Sequence, residues 1–250
     1  MPAGTVYAPY LADPHEQRIS LDWANFSRTD IPESGSNRFG LHVGGQIGLI
    51  GGHFAAGRWQ LSVEAAYQAQ FDNEENQDNI GWDGDYGLSL EWSPSPRHAA
   101  KVFLLHTSSH IGDEYIERTG RRRINYTREE LGAALSWWPN PDWRAYAEAG
   151  WAYDLRNPEL QAPWRTQIGL EHEAPGSLLG GRLGWFMGAD LSATEERDWR
   201  RDKAVTVGLL LPGDGRDLRL DLHYVDGRPI LGEFFQFTER YLALRLSTRL

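Results

Sequence analysis

The stretch YLALRLSTRL, at residues 241–250, decides the fold. Leu242, Leu244 and Leu246 alternate with polar residues such as Arg245. A period of two places neighbouring side chains on opposite faces of a β-strand, whereas a helix would need a period near 3.6. The C-terminus therefore predicts a strand with one apolar face and one polar face.

The same alternation recurs along the whole chain and predicts an all-β, antiparallel, up-and-down transmembrane barrel of about twelve strands. No linker or change of composition divides the 250 residues, so we expect a single domain over 1–250. The predicted strands lie near 17–26, 38–50, 57–71, 84–93, 98–110, 124–138, 142–155, 164–173, 181–193, 203–212, 216–226 and 239–250.

The connections between these strands alternate in length. Tight turns such as PNPD and PGDGR interleave with longer polar loops near 27–37, 72–83, 111–123, 156–163, 194–202 and 227–238. Short turns at one end and long loops at the other are typical of outer-membrane barrels. We therefore expect short periplasmic turns, longer extracellular loops and a periplasmic N-terminal segment at 1–16.

Tryptophans distinguish a membrane barrel from a soluble one. Membrane barrels carry aromatic girdles on the lipid-facing side at both interfaces, whereas a soluble core gives no reason for aromatic residues at the strand ends. The chain has eleven tryptophans, and seven lie on the predicted apolar face: Trp23, Trp59, Trp92, Trp137, Trp143, Trp164 and Trp185.

Charge and composition exclude several classes of function. The formal charge of −10 argues against nucleic acid as a partner, because phosphate binding needs a basic surface. The absence of cysteine excludes thiolate metal sites and disulfides, and we expect neither a metal nor a cofactor. The expected location is the bacterial outer membrane, with a signal peptide already removed from this sequence.

The segment HTSSHIGDEY, at 106–115, carries the candidate chemistry. Ser108 would be a nucleophile, and His106 a general base on the same strand face. Glu130 is the preferred third residue, with Glu129 and Asn125 as alternatives.

Two strand registers remain open for this segment. If Phe103, Leu105 and Thr107 face lipid, His106 and Ser108 point into the lumen. If Val102 and Leu104 face lipid, His106 and Ser108 do so too. Placing Lys101 inside favours the second arrangement.

A polar network that orders the following loop is the alternative to catalysis, and several residues are candidates for binding. An arginine run could contact lipopolysaccharide phosphates through charge-assisted hydrogen bonds. The candidate binding residues are His110, Asp113, Glu114, Arg121, Arg122 and Arg123.

The sequence resembles an uncharacterised bacterial family, a domain of unknown function expected to form outer-membrane β-barrels. The resemblance implies the barrel and its location but no activity. It covers most of the chain, and its most specific motif is HxSSHxGDEY. The matching stretches are YLADPHEQRISLDW at 10–23, GDYGLSLEW at 84–92, HTSSHIGDEY at 106–115, NYTREELGAALSW at 125–137 and AEAGWAY at 147–153.

A weaker resemblance is to outer-membrane phospholipase A and the lipid A deacylase. Those families place a His-x-Ser pair on a barrel strand facing the outer leaflet, with a carboxylate or amide on the next strand. His106-Thr107-Ser108 matches the pair. The amide-and-glycine stretch that follows it in those hydrolases is replaced here by Ser109-His110.

Three functions are therefore compatible with the sequence. The first is an outer-membrane barrel with a structural, binding or small-solute channel role. The second is a lipid esterase or deacylase that uses Ser108 and His106. The third is a soluble ligand-binding β-barrel. Expected partners are outer-membrane lipids, including lipopolysaccharide, and a small solute in the lumen.

Overall fold

Twelve antiparallel strands close into a barrel in the computed structural model, which describes residues 5–54, 57–213 and 216–248. Every predicted strand is present. The strands are β1 (Ile19–Thr29), β2 (Asn37–Phe54), β3 (Gly57–Asp72), β4 (Asp78–Ser95), β5 (His98–Ile111), β6 (Thr127–Asn140), β7 (Trp143–Leu155), β8 (Trp164–Leu178), β9 (Leu183–Thr194), β10 (Arg201–Leu211), β11 (Leu218–Gly227) and β12 (Glu239–Thr248).

The first and last strands complete the barrel. β1 pairs with β12 in a register that places Ile19 opposite Thr248, and it pairs with β2 on its other side. Every strand therefore has two hydrogen-bonded neighbours. A closed sheet has no free edge, which is the condition for strands to cross a membrane without unsatisfied backbone groups.

Some strands are longer than the sequence predicts. β4 begins at Asp78 because its pairing with β3 continues to the Asp72–Asp78 pair. Most of the predicted acidic loop at 72–83 is therefore strand. The predicted loop at 111–123 contains a helix, α1 (Asp113–Thr119), that follows β5 directly.

The two ends of the barrel differ as predicted. At the turn end, β4 joins β5 through 96–97, and β6 joins β7 through 141–142. At the loop end most connections are longer, and the longest two cover 112–126 and 228–238.

The outer face of the barrel is apolar. Leucines on this face, such as Leu104 and Leu244, are 48% and 52% exposed. Trp92 and Trp137 are exposed near the turn end, and Trp151 and Trp164 near the loop end. A soluble barrel would turn its polar face to water, so this surface is that of a membrane barrel.

The inner face of the barrel carries buried ion pairs. Arg144 contacts Glu171 at 3.2 Å, and Arg165 contacts Glu148 at 2.8 Å. Both pairs connect the neighbouring strands β7 and β8. Buried charges need such partners because an isolated charge is costly to remove from water.

Residues 5–16 of the N-terminal segment lie inside the barrel rather than outside its turn end. The amide of Tyr7 donates to the Glu91 carboxylate at 2.7 Å, and the amide of Leu11 donates to Glu171 at 2.5 Å. Arg144 donates to the carbonyl of Ala8 at 2.7 Å. The segment expected in the periplasm is thus held by charged groups of the lumen wall, and it fills the lumen toward the turn end.

Apolar residues close the loop end. Ile230, Leu231 and Phe234, from the β11–β12 connection, pack against Ile80 of β4 and Tyr115 of α1. Together with the N-terminal segment, these residues occupy the lumen from both of its ends.

No helix in the described ranges is long and apolar enough to span a membrane.

A charge on the outer face should destabilise the barrel. Leu244→Arg places a guanidinium in the middle of the apolar band, and we expect a loss of about 2–4 kcal/mol in the free energy of unfolding from lipid vesicles. Denaturant titration monitored by tryptophan fluorescence measures it. Leu160→Arg, in the loop-end connection at 156–163, is the matched control. Equal stability of the two variants would contradict the assignment of the outer face.

Candidate functional site

Strand β5 carries the candidate histidines and serine on its outer face. Val102 and Leu104 are exposed, whereas Phe103 is 3% exposed and points into the lumen. His106 and Ser108 follow two and four residues after Leu104 in an unbroken strand, so they also face outward. The structure adopts the second of the two registers that the sequence left open.

The lumen side of β5 explains this choice. Lys101 contacts Glu148 at 3.5 Å and lies 4.8 Å from the centre of the Phe103 ring. A lysine on the outer face would lack both partners and would lie in the apolar band. Its position fixes the direction of every following side chain, because a shift by one residue would turn each of them over.

A carboxylate on the neighbouring strand contacts His106. Glu129 of β6 lies directly opposite His106 in the register, and its Oε1 accepts a hydrogen bond from the histidine Nδ1. A carboxylate only accepts, so Nδ1 carries the proton and Nε2 of a neutral ring is left as an acceptor. This is the tautomer that a general base needs.

Ser108 is bonded to the second histidine rather than the first. Its Oγ lies 3.1 Å from Nε2 of His110, and Nδ1 of His110 accepts from the guanidinium of Arg123. Arginine only donates, so a neutral His110 carries its proton on Nε2 and donates it to Ser108. The serine hydroxyl proton therefore remains available to another acceptor.

A notch in the barrel surface lies beside the half-buried Ser108. On β4 the register places Trp82, Gly84 and Tyr86 opposite His110, Ser108 and His106 respectively. Trp82 stacks on His110 with ring centres 4.0 Å apart, and Tyr86 stacks on His106 at 4.4 Å. A side-chain carbon at Gly84 would contact only the Trp82 ring, at 3.7 Å. Glycine thus leaves open space beside the serine, between two aromatic stacks.

Glu130, the preferred third residue of the sequence analysis, lies on the other side of the barrel wall. It is 2% exposed and accepts from Arg165 at 2.7 Å and from Arg128 at 3.1 Å. Its partner in the register is Leu105 rather than His106. Glu129 therefore occupies the place proposed for Glu130. Asn125, the other alternative, precedes β6 in the connection from α1.

The two acids after the strand lie apart from the histidines. Asp113 and Glu114 form the exposed first turn of α1, where carboxylates interact favourably with the helix dipole. In the described ranges, no three histidine or acidic side chains are placed to hold a metal ion. His106 and His110 stack on different aromatic rings.

The three arginines have different surroundings. Arg121 lies over the rings of Phe234 and Phe237, 4.9 Å and 5.0 Å from their centres, and so helps to close the loop end. Arg122 is exposed, and Arg123, also exposed, contacts His110. The arginine run thus reaches from the closed loop end to the edge of the Ser108 notch.

Sequence reasoning missed the β4 residues of this site. Trp82, Gly84 and Tyr86 share one strand face by their spacing, which is a readable signal. The predicted strand begins only at 84, which leaves Trp82 in a loop and off the strand face that it shares with Gly84 and Tyr86.

The chain belongs to the family described as "Protein of unknown function (DUF1207)". The family matches residues 1–249. No curated protein matches the sequence.

Two solved structures share the fold of this DUF1207 chain. Outer membrane phospholipase A from Escherichia coli is 11% identical, with a TM-score of 0.63 and 92% of each chain covered. The outer membrane phospholipase of Salmonella typhi, solved as a dimer with bound calcium, is 12% identical. Its TM-score is 0.66, and the match covers 96% of this chain and 93% of that one. At such identities the likeness establishes the barrel fold alone.

Cysteine labelling tests which way the site faces, because the DUF1207 chain has no cysteine of its own. We expect Ser108→Cys, on the outer face, to react faster with a maleimide in detergent than Thr107→Cys, on the lumen face. Mass spectrometry over time gives both rates. A faster reaction at position 107 would show that the facing is reversed.

Proposed function

We propose that the chain is an outer-membrane acyl-ester hydrolase that acts on lipids through Ser108. The observation that carries this proposal is the outward-facing pair of His106 and Glu129, beside a serine in an open notch. Outer-membrane phospholipases with the same fold support it by analogy.

The location of the notch suits a lipid ester. The apolar band ends at Leu88, Leu104 and Leu131, which are each 48% exposed. His106 and Ser108 follow Leu104 toward the loop end. In a membrane this is the level where acyl chains meet headgroups, so an ester carbonyl lies at the height of Ser108.

The chemistry follows the general scheme of serine hydrolases. Ser108 Oγ attacks the acyl carbonyl, and its proton passes to Nε2 of His106. The tetrahedral intermediate expels the alcohol, which takes the proton from His106, and leaves an acyl group on Ser108. Water then attacks this ester with His106 again as base, which releases the fatty acid.

Each neighbour has a distinct role in this scheme. Glu129 holds the His106 ring and stabilises its positive charge after proton transfer. Ser108 and His106 are not hydrogen-bonded in the structure, and the proposal requires the serine hydroxyl and the histidine ring to turn toward each other when substrate binds. Catalytic hydrogen bonds in the absence of substrate are often long or misaligned.

A channel role is less well supported than the hydrolase, because chain segments occupy the lumen. The N-terminal segment is bonded to the wall through Glu91 and Glu171, and Phe234 closes the loop end. Diffusion through the barrel would require both segments to move.

Fatty-acid release from mixed phospholipid and lipopolysaccharide vesicles tests the proposal. We expect Ser108→Ala and His106→Ala to lower the rate at least about a hundredfold, since general bases contribute 10²–10⁴-fold. Glu129→Gln should lower it less, because it removes only orientation and charge stabilisation.

Thr107→Val is the matched control for these variants. It lies between His106 and Ser108 but faces the lumen, where its hydroxyl donates to Asp85 at 2.6 Å. We expect its rate to equal that of the natural protein. Equal rates for Ser108→Ala and the natural protein would refute the hydrolase.

We also propose that Arg122 and Arg123 contact the phosphates of lipopolysaccharide, because both are exposed and Arg123 contacts His110 at the notch. Replacing each with alanine should weaken lipopolysaccharide binding by roughly fivefold, about 1 kcal/mol per arginine at an anionic surface. Surface plasmon resonance on captured protein measures the affinity. Arg201→Ala, an exposed arginine of β10, is the control. An equal loss in that variant would show nonspecific attraction only.

A further inference from the structure

We propose that the barrel holds a small organic ammonium ion in a chamber between the N-terminal segment and the loop-end closure. The chamber has a volume of about 130 Å³. A single water needs roughly 10–15 Å³ by the same kind of measure, so the space exceeds what one water or metal ion fills. It lies on the opposite side of the barrel wall from Ser108, and the inference does not depend on the hydrolase.

The walls of the chamber are fixed parts of the fold. Tyr10 and Glu16 of the N-terminal segment line it toward the turn end, and Arg228 and Phe235 line it toward the loop end. Strands β3 to β9 supply the sides. Because the same two segments close the lumen, the chamber is what remains of the barrel interior.

Part of the charge in the chamber is balanced within the protein. Arg165 pairs with Glu130 and Glu148, at 2.7 Å and 2.8 Å, and Lys101 pairs with Glu148 at 3.5 Å. Arg128 pairs with Glu130 at 3.1 Å. These cations are already engaged by carboxylates.

A second set of carboxylates in the chamber lacks such cations. Asp85 accepts from the Thr107 hydroxyl, and Asp83 accepts from the Ser109 hydroxyl and from the amide of Gly232 at 2.9 Å. Among the residues that the structure describes, neither has a cation within ion-pair distance. Their direct partners are these hydroxyl and amide donors, and Arg228, which also lines the chamber, acts on both from beyond ion-pair distance.

Glu64 is the strongest indication of a ligand. It is 6% exposed, lines the chamber, and makes no hydrogen bond or ion pair with any residue in the described ranges. Lys101 acts on it electrostatically but is paired with Glu148. A buried carboxylate without a partner is costly, and a bound cation would remove that cost. Burial raises the pKa of the nearby Glu16 above its ordinary value, which also indicates incomplete compensation.

The chemistry of the walls favours an organic cation over a metal. In the described ranges, no three potential ligands converge as a metal site requires. Aromatic rings instead share the chamber with the acids, namely those of Tyr10, Phe103, Tyr126 and Phe235. Carboxylates combined with aromatic faces are the surroundings that bind ammonium groups through charge and cation–π attraction.

Calorimetric titration of the full-length protein in detergent tests this inference. We expect putrescine or choline to bind with saturation, whereas 1,4-butanediol, the uncharged analogue of putrescine, should not bind. If putrescine binds more tightly, the site prefers a primary ammonium; if choline binds more tightly, it prefers a quaternary one. Calcium chloride at equal concentration serves as the inorganic cation.

Two carboxylate variants locate the site. Glu64→Gln and Asp85→Asn should each weaken binding by about tenfold or more, as expected on losing a hydrogen bond to a charged group. Glu117→Gln, exposed on α1, should leave binding unchanged. A variant that does not fold leaves the comparison of putrescine with butanediol on the natural protein to decide.

Three results would overturn the inference. One is that neither ammonium compound binds more tightly than butanediol. Another is that calcium binds and the ammonium compounds do not. The third is that both carboxylate variants bind as tightly as the natural protein.

Discussion

Closure of the sheet by the β1–β12 pair is the constraint on which the rest of the structure depends. Once Ile19 lies opposite Thr248, every strand has two neighbours, and each side chain has only two directions available, into the lumen or out of the barrel. Charged residues such as Arg144 and Glu148 take the first, and leucines such as Leu104 and Leu244 take the second. Ser108 and Asp85 lie on adjacent strands, yet the wall separates an outward notch from an inner chamber.

Ion pairs between neighbouring strands hold the charged residues of the lumen in place. Arg144 and Arg165 each connect strands through carboxylates, and Arg144 also binds carbonyls of the N-terminal segment. These contacts explain why the segment lies inside the lumen. Glu148 also pairs with Lys101, which therefore faces inward, and this directs His106 and Ser108 outward.

Sequence alone predicted the twelve strands because alternation is local, and it predicted the alternating loop lengths. It left open whether Ser108 faces lipid or the lumen, because Phe103 and Leu104 are both apolar. The residue that decides the direction is Glu148, the partner of Lys101, which is distant in the chain. The sequence could not show that Glu129, rather than the preferred Glu130, lies opposite His106. That choice is set by the β5–β6 register, which neither strand encodes by itself. The position of the N-terminal segment depends on Glu91 and Glu171, contacts that no local pattern reveals.

The site is a small set of residues on three neighbouring strands. β4 provides a gap at Gly84 between two aromatic residues, β5 provides Ser108 and both histidines, and β6 provides Glu129. The two histidines carry their protons on different ring nitrogens, Nδ1 in His106 and Nε2 in His110. Their partners cause this difference, since Nδ1 of His106 contacts a carboxylate and Nδ1 of His110 contacts a guanidinium. This difference is what makes His106 the base and His110 a donor to the serine.

The most direct test of the central claim is covalent trapping of the serine. An alkyl fluorophosphonate phosphonylates a serine only where a base activates it, and peptide mass spectrometry identifies the modified residue. We expect a single adduct on Ser108 that is lost in His106→Ala. No adduct on Ser108, or one that forms equally well without His106, would contradict it.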